Sequence, residues 1–251
     1  MISLRGKRAL VTGGSRGIGA ATALLLAECG ADVGIGYRSR AADAAGVVAA
    51  LADRGVRAFA QAADIGTRAG AEALTERTLR EFGGLDLFVG NAGTWPADAI
   101  PVAEMPDRRW TETLRDNLDS IFFTSRAVAT VIAAGGRMVL VSSTAGQRGE
   151  AMHADYAASK GAVISFVKSL AIELTPRGVT VNCVAPGWVD TEMAAPAYGD
   201  GGRERIAAGI PVGRIATARD VAGPIAFLCS DLARHVTGEI LNVNGGSVLC
   251  G

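Results

Sequence analysis

Aromatic residues are scarce in this 251-residue chain, at 5%, and histidine occurs only twice, at His153 and His235. Its four cysteines, Cys29, Cys183, Cys229 and Cys250, lie far apart and form no C-x-x-C pair. So few soft ligands at no metal spacing argue against a zinc site, and no metal is expected. The cysteines read as small apolar residues of a reducing compartment, which makes the expected location cytoplasmic. Charge of one sign is also missing, because 25 Lys and Arg balance 25 Asp and Glu. That balance excludes a nucleic-acid partner bound by counterion release and a polybasic membrane patch. No apolar run approaches the roughly 20 residues of a membrane span. The run from Ala9 to Val11 is too short for the core of a signal peptide.

Glycine is what the chain has in excess. Its 33 residues make about 13%, nearly twice the roughly 7% usual in proteins. Most follow short apolar runs, and those runs alternate with helical patterns. Arg8–Val11, Val33–Tyr37 and Arg57–Gln61 read as strands, separated by helices over Ala20–Cys29 and Ala42–Asp53. Gly30 closes the first helix. A helix over Arg68–Phe82 follows. Leu85–Val89, Arg137–Val141 and Val179–Val184 are apolar enough to be strands covered on both faces, the mark of a parallel sheet. Helices near Trp110–Ala134 and Asp155–Leu174 stand between them. The repeated strand–helix rhythm defines an α/β class with a parallel sheet, in one domain spanning residues 1–251. Residues 187–213 show no period and hold Pro196, Gly199, Gly201 and Gly202. They follow a buried strand, where such sheets bind ligands, and are expected to form a lid.

Thr12-Gly13-Gly14-Ser15-Arg16-Gly17-Ile18-Gly19 joins the first strand to the first helix. Gly13 permits a tight turn, Gly17 lets backbone approach a pyrophosphate, and Gly19 lets helix and strand pack closely. Phosphates would then sit at the helix N-terminus. The spacing is G-x-x-x-G-x-G. Further along come Asn91-Ala92-Gly93, Asn117, Ser143 thirteen residues before Tyr156, Tyr156-Ala157-Ala158-Ser159-Lys160, and Pro186-Gly187 with Thr191. In this order and spacing the chain resembles the short-chain dehydrogenase/reductase family over residues 5–247. Gly90 and Asn244 depart from the family pattern, and neither touches the expected reaction centre.

The resemblance implies a Rossmann-type doubly wound sheet and a hydride-transfer enzyme that reduces a carbonyl. Such a reaction leaves negative charge on the carbonyl oxygen and needs a proton donor there. Tyr156 is the implied acid. Lys160, one helical turn on, would favour its phenolate and hold the nicotinamide ribose. Ser143 would hydrogen-bond the carbonyl oxygen, and Asn117 would hold a water linked to Lys160. The implied cofactor is NADP(H). Gly13, Ser15, Arg16, Gly17, Ile18 and Gly19 would cradle its pyrophosphate. The second strand ends at Tyr37-Arg38-Ser39, with no acid for a ribose 2′-hydroxyl, so Arg38 and Arg16 would clamp a 2′-phosphate. In the Asp64-Ile65 segment the acid would meet the adenine amino group, Val189 and Thr191 would meet the carboxamide, and Ile65, Asn91, Ala92, Gly93, Pro186 and Gly187 would complete the cofactor-binding set. Trp95, His153 and Trp188 are candidate substrate contacts.

Within the family the chain resembles the 3-oxoacyl-[acyl carrier protein] reductases, through Leu4-Arg5-Gly6-Lys7, Tyr37-Arg38 and Thr237-Gly238-Glu239-Ile240. The expected partner is therefore a small-molecule or carrier-bound carbonyl substrate, and the expected assembly a homotetramer. A dehydrogenase of a sugar, secondary alcohol or steroid is the nearest alternative. A non-catalytic dinucleotide sensor is the alternative of another class, but it has no use for Asn117, Ser143, Tyr156 and Lys160 together.

Overall fold

The structure, a computed structural model, describes residues 2–249. Seven short apolar runs become strands: β1 (Arg8–Thr12), β2 (Asp32–Tyr37), β3 (Ala58–Ala62), β4 (Leu85–Gly90), β5 (Ile132–Val141), β6 (Thr180–Pro186) and β9 (Ile240–Val243). They pair in parallel in the order β3-β2-β1-β4-β5-β6-β9. A two-residue pair, β7 (Val189–Asp190) with β8 (Ala216–Thr217), lies outside this sheet. The expected α/β class and doubly wound parallel sheet are borne out. The winding reverses between β1 and β4, which opens a crevice at the carboxyl ends of the strands.

Helices cover both faces. The core on one side joins Ala23 and Leu26 of α1 (Gly17–Glu28), Ala44 and Leu51 of α2 (Ala41–Ala52), and Val221 and Ile225 of α9 (Ala218–Leu228). On the other side Leu74 of α3 (Arg68–Phe82), Ile121 of α5 (Ser120–Val131) and Val163 of α7 (Ala154–Leu174) pack together. Two-sided cover explains why β1, β4 and β6 are apolar along nearly their whole length. Among the described residues no helix is long and apolar enough to cross a membrane.

Three local results differ from expectation. The helix expected over Trp110–Ala134 is interrupted. α4 (Asp107–Leu114) runs into a π turn at Arg115–Asp119, where the Ser120 N–H donates to the Arg115 carbonyl, before α5 begins. The 187–213 segment is more structured than its glycines suggest. It contains β7, a 3-10 stretch at Ala195–Gly201 and α8 (Gly202–Ala208), and Arg203 clasps Asp190 through both carboxylate oxygens. Finally, β9 and α9 were not foreseen; α9 starts with a capping box between Thr217 and Asp220.

Candidate active site

The glycine loop forms because its residues fit no other path. Gly13 and Gly17 adopt φ values of +65° and +55°, in the left-handed region that glycine enters without strain. A Cβ on Gly19 would lie 2.2 Å from the Gly13 carbonyl oxygen, so only glycine lets α1 approach this closely. The first turn of α1 has no acidic residue, and its N-cap Arg16 makes no side-chain cap. Its free N–H groups therefore suit an anionic ligand. Asn91 staples the loop to β4: its Nδ2 donates to the carbonyls of Thr12 and Gly13 at 3.0 and 3.3 Å. Thr12 Oγ1 accepts in return from the N–H groups of Asn91 and Ala92.

One cleft of about 370 Å³ runs across the carboxyl ends of the sheet. Tyr37, Arg38, Ser39, Asp64 and Ile65 line one end, and Gly13, Ser15, Arg16, Gly17 and Ile18 the middle. Asn91, Ala92, Gly93, Trp95, Ser143, Tyr156, Lys160, Pro186, Gly187, Trp188, Val189 and Thr191 line the other end. Residues as far apart in sequence as Gly13 and Thr191 are thus gathered by the switch in strand order. Gly19 does not line the cleft; it acts by letting α1 close on the Gly13 carbonyl.

Asn117 does not line the cleft. It is fully buried on the π turn, and its side chain acts as a clamp. Oδ1 accepts from the Thr94 N–H at 2.7 Å, while Nδ2 donates to the Thr94 carbonyl at 2.9 Å and to Ser159 Oγ at 3.1 Å. Ser159 Oγ in turn donates to the Tyr156 carbonyl at 2.7 Å. Asn117 thereby joins the loop after β4 to the helix that carries Tyr156. A Cβ on Gly93 would meet both Asn117 Oδ1 and Lys160 Nζ, at 2.8 and 3.1 Å, so the two side chains converge there. Thr94 and Ser159 are working residues that sequence reasoning missed; no spacing marks them.

Tyr156 is half-buried in the cleft wall. Burial pushes its phenol up to about 12, opposed by a hydrogen bond with Ser143 and reinforced by the negative charge of Glu150. Lys160 is buried, and burial lowers its ammonium to about 8. Its Nζ donates to the Val141 carbonyl at 3.0 Å and lies 5.9 Å from the centre of the Tyr156 ring. The expected lowering of the phenol by Lys160 is thus a correction: desolvation dominates both groups, and the ammonium is engaged elsewhere. Ser143 caps α6 (Thr144–Arg148), accepting from the Ala145 N–H at 3.1 Å, and its hydroxyl faces the Tyr156 phenol. Ser142 points away, donating to the Lys160 carbonyl at 2.7 Å.

His153 is a second correction. It is 7% exposed and lies behind the cleft wall, not in it. Its ring stacks on Trp95 at 4.9 Å, and Trp95 meets Trp188 edge-on at 5.8 Å. The two tryptophans form the wall; the histidine buttresses it. The arginines, too, are not free clamps. Arg38 donates to both oxygens of Asp116 at 2.9 and 2.8 Å, Arg16 pairs with Glu192, and Arg40 reaches the same Glu192 at 3.4 Å. Asp64 pairs with Arg115. The sequence could not disclose these partners, since Arg38 and Asp116 are 78 residues apart. Arg203 is likewise held, by Asp190.

A doubly wound sheet with a glycine loop at its first βα turn, and a serine, tyrosine and lysine facing one another beyond it, defines a dinucleotide-dependent oxidoreductase. Comparison with known proteins narrows this class. A family model described as Enoyl-(Acyl carrier protein) reductase matches residues 13–247. The 3-oxoacyl-[acyl-carrier-protein] reductase of Vibrio cholerae is 42% identical over 247 residues, covering 98% of each chain. A dehydrogenase/reductase from Sinorhizobium meliloti superposes with a TM-score of 0.93 at 37% identity, covering 98% of this chain and 97% of its own. A short-chain dehydrogenase from Burkholderia cenocepacia, in complex with NADP, superposes at 0.91 with 40% identity, covering 97% and 98%. The chain belongs to the short-chain dehydrogenase/reductase family.

Proposed function

We propose that this protein is an NADPH-dependent carbonyl reductase that converts 3-oxoacyl thioesters to 3-hydroxyacyl thioesters. The observation that carries the reading is the Tyr156 phenol beside Ser143 in a cleft that also holds the glycine loop. The residues fit a dinucleotide: the uncapped N-terminus of α1 and the side-chain-free backbone at Gly13 and Gly17 suit a pyrophosphate, and Arg16 and Arg38 line the same cleft. When bound, the reduced nicotinamide supplies a hydride to the carbonyl carbon. Tyr156 gives its phenolic proton to the carbonyl oxygen, Ser143 donates a hydrogen bond to the same oxygen, and Lys160 supplies positive charge beside them. Asn117 holds the loop and helix that set this spacing. The 3-oxoacyl preference rests on the Vibrio cholerae relative, named for that activity. A panel of acetoacetyl thioester, a sugar and a simple cyclic ketone, each with NADPH and NADH, tests it by kcat/KM. The thioester should lead; a tenfold lead for sugar or ketone overturns the substrate assignment.

The acid partners of Arg38 and Arg16 do not argue against a 2′-phosphate. Exposed ion pairs contribute about 0–1 kcal/mol, whereas hydrogen bonds to a charged group contribute roughly 1.5–3 kcal/mol, so a phosphate displaces the carboxylates. Arg38→Ala should therefore cut the preference for NADPH over NADH by about tenfold, read as the ratio of kcat/KM for the two cofactors. An unchanged ratio removes Arg38 from the cofactor site.

We further propose a homotetramer in the cytoplasm, with residues 187–213 as a lid over the substrate end. Mean hydropathy is +0.27, and Phe122 and Ile172, on the outer faces of α5 and α7, are 40% and 76% exposed. Apolar faces of this kind favour burial against another copy. Cys29, Cys183 and Cys229 are unpaired, which suits a reducing compartment; Cys250 lies outside the described residues. Light scattering should give four times the 25.6 kDa chain mass; a stable monomer refutes the assembly.

A further inference from the structure

The substrate end of the cleft holds one acid for which the proton transfer has no use. Glu150 lies between Ser143 and Tyr156 in sequence and lines the cleft with them. Its carboxylate is anchored by Trp95, whose indole Nε1–H donates to Oε1 at 3.1 Å; His153 Nδ1 lies 3.6 Å from the same oxygen and hydrogen-bonds the Ala151 carbonyl at 3.3 Å. The side chain is 25% exposed, so water screens it only in part. The Trp95–His153 stack holds the indole in turn, and Trp188 braces Trp95 from the far side. Trp95, held between two further rings, thus positions one carboxylate in the cleft that Ser143 and Tyr156 line.

A negative charge there acts against the reaction. It opposes charge building on the carbonyl oxygen and makes the phenol harder to ionise, the direction found for Tyr156. A side chain so firmly built against its own chemistry calls for a different role. Two cations are near. Arg148 also lines the cleft but is exposed, so its field is weakened by water. Lys160 is buried and directs its ammonium to the Val141 carbonyl. Neither offsets Glu150 for a group entering beside Trp95.

We propose that Glu150 is a charge filter, one that repels carbonyl compounds bearing a carboxylate near the reacting carbon and admits those in which that carboxyl is esterified. The inference rests on the carbonyl-reductase reading above and sharpens it. The substrate class is the uncharged acyl derivative, a thioester or ester, and the free 3-oxo acid is excluded. The pair acetoacetate and methyl acetoacetate isolates the charge, because the two share the 3-oxo skeleton and differ chiefly in that group.

The test measures kcat/KM for both compounds, and for acetoacetyl thioester, with NADPH in the native enzyme and in Glu150→Gln. Gln preserves the side-chain size and an acceptor for the Trp95 N–H, so the wall stays supported. The native enzyme should favour the ester over the acid. In Glu150→Gln the ester-to-acid ratio should fall about tenfold, equal to about 1.4 kcal/mol, through a rise in kcat/KM for the acid. Glu150→Asp should retain the native discrimination in direction. Equal use of acid and ester by the native enzyme, or a ratio moved less than twofold by Glu150→Gln, overturns the filter while the reductase reading stands. If the native enzyme reduces neither thioester nor ester, the reductase reading falls and the filter falls with it.

Discussion

A Tyr156→Phe enzyme is expected to turn over its carbonyl substrate about 10²–10⁴-fold more slowly, the contribution of a positioned general acid. The substitution removes one oxygen from a half-buried ring and leaves the glycine loop untouched, so cofactor affinity measured by fluorescence titration should hardly change. Near-normal turnover in this variant would end the proposed mechanism. The pH profile offers a second check on the same pair. Burial lifts the phenol to about 12, so Tyr156 remains protonated across the neutral range and sets no limb there. Lys160 is brought down to about 8, so its positive charge is present below that pH and lost above it. Reduction should therefore fall as pH rises through about 8. In Lys160→Arg, whose guanidinium stays charged, that limb should disappear even if the overall rate is lower.

Arg109→Ala is expected to destabilise the fold by about 3–5 kcal/mol, the usual consequence of leaving one member of a buried ion pair alone. Asp155 is fully buried immediately before Tyr156, and its Oδ2 accepts from Arg109 Nε and from Thr113 Oγ1, each at 2.6 Å. Arg109 Nη2 also reaches the carbonyls of Pro96 and Asp98 at 3.4 Å, tying the loop that carries Trp95. A thermal melt should shift down by about 6–20 °C for a chain of this size. The pH sign follows from the Asp155 carboxyl. Burial raises its pKa, but the hydrogen bonds from Thr113 and Arg109 outweigh burial and hold it below the ordinary value. Its stabilisation is thus complete above the ordinary carboxylate range and lost as pH falls through the lowered value. Without Arg109 the burial effect is opposed by less, so the acid-side loss should begin at higher pH. A melt unchanged across pH would show that the pair holds nothing.

What the chain discloses before folding depends on how far apart the cooperating residues are. The glycine loop and the Tyr156–Lys160 pair are local, because a turn and a helical face fix them within a few positions. β1, β4 and β6 are equally plain, since burial on both faces leaves an unbroken apolar run. β9 escaped notice because its residues are only half-buried and include Asn242. The π turn escaped for another reason: one extra residue leaves hydrophobic periodicity almost unaltered on either side. α9 had an available signal, Thr217 three residues before Asp220, that marks a helix start. The clasp of Trp95 on Glu150 spans 55 residues, and only the strand order brings its two halves together.

The π turn at Arg115–Asp119 sets a limit on length variation in this part of the chain. Five residues there occupy the arc that an α-helix closes with fewer. Deleting one would let the helix close as a regular α-helix, with the residues on either side keeping their faces. Ile121 and Val128 would then keep their places in the core, while Asn117, carried by the turn itself, would leave Thr94 and Ser159. The segment 187–213 faces no such arithmetic, because its short elements are joined by exposed turns at Gly199–Gly201 and Gly213. Insertions grafted into that segment should fold, and a single-residue deletion at the π turn should fold as well but lose the Asn117 clamp.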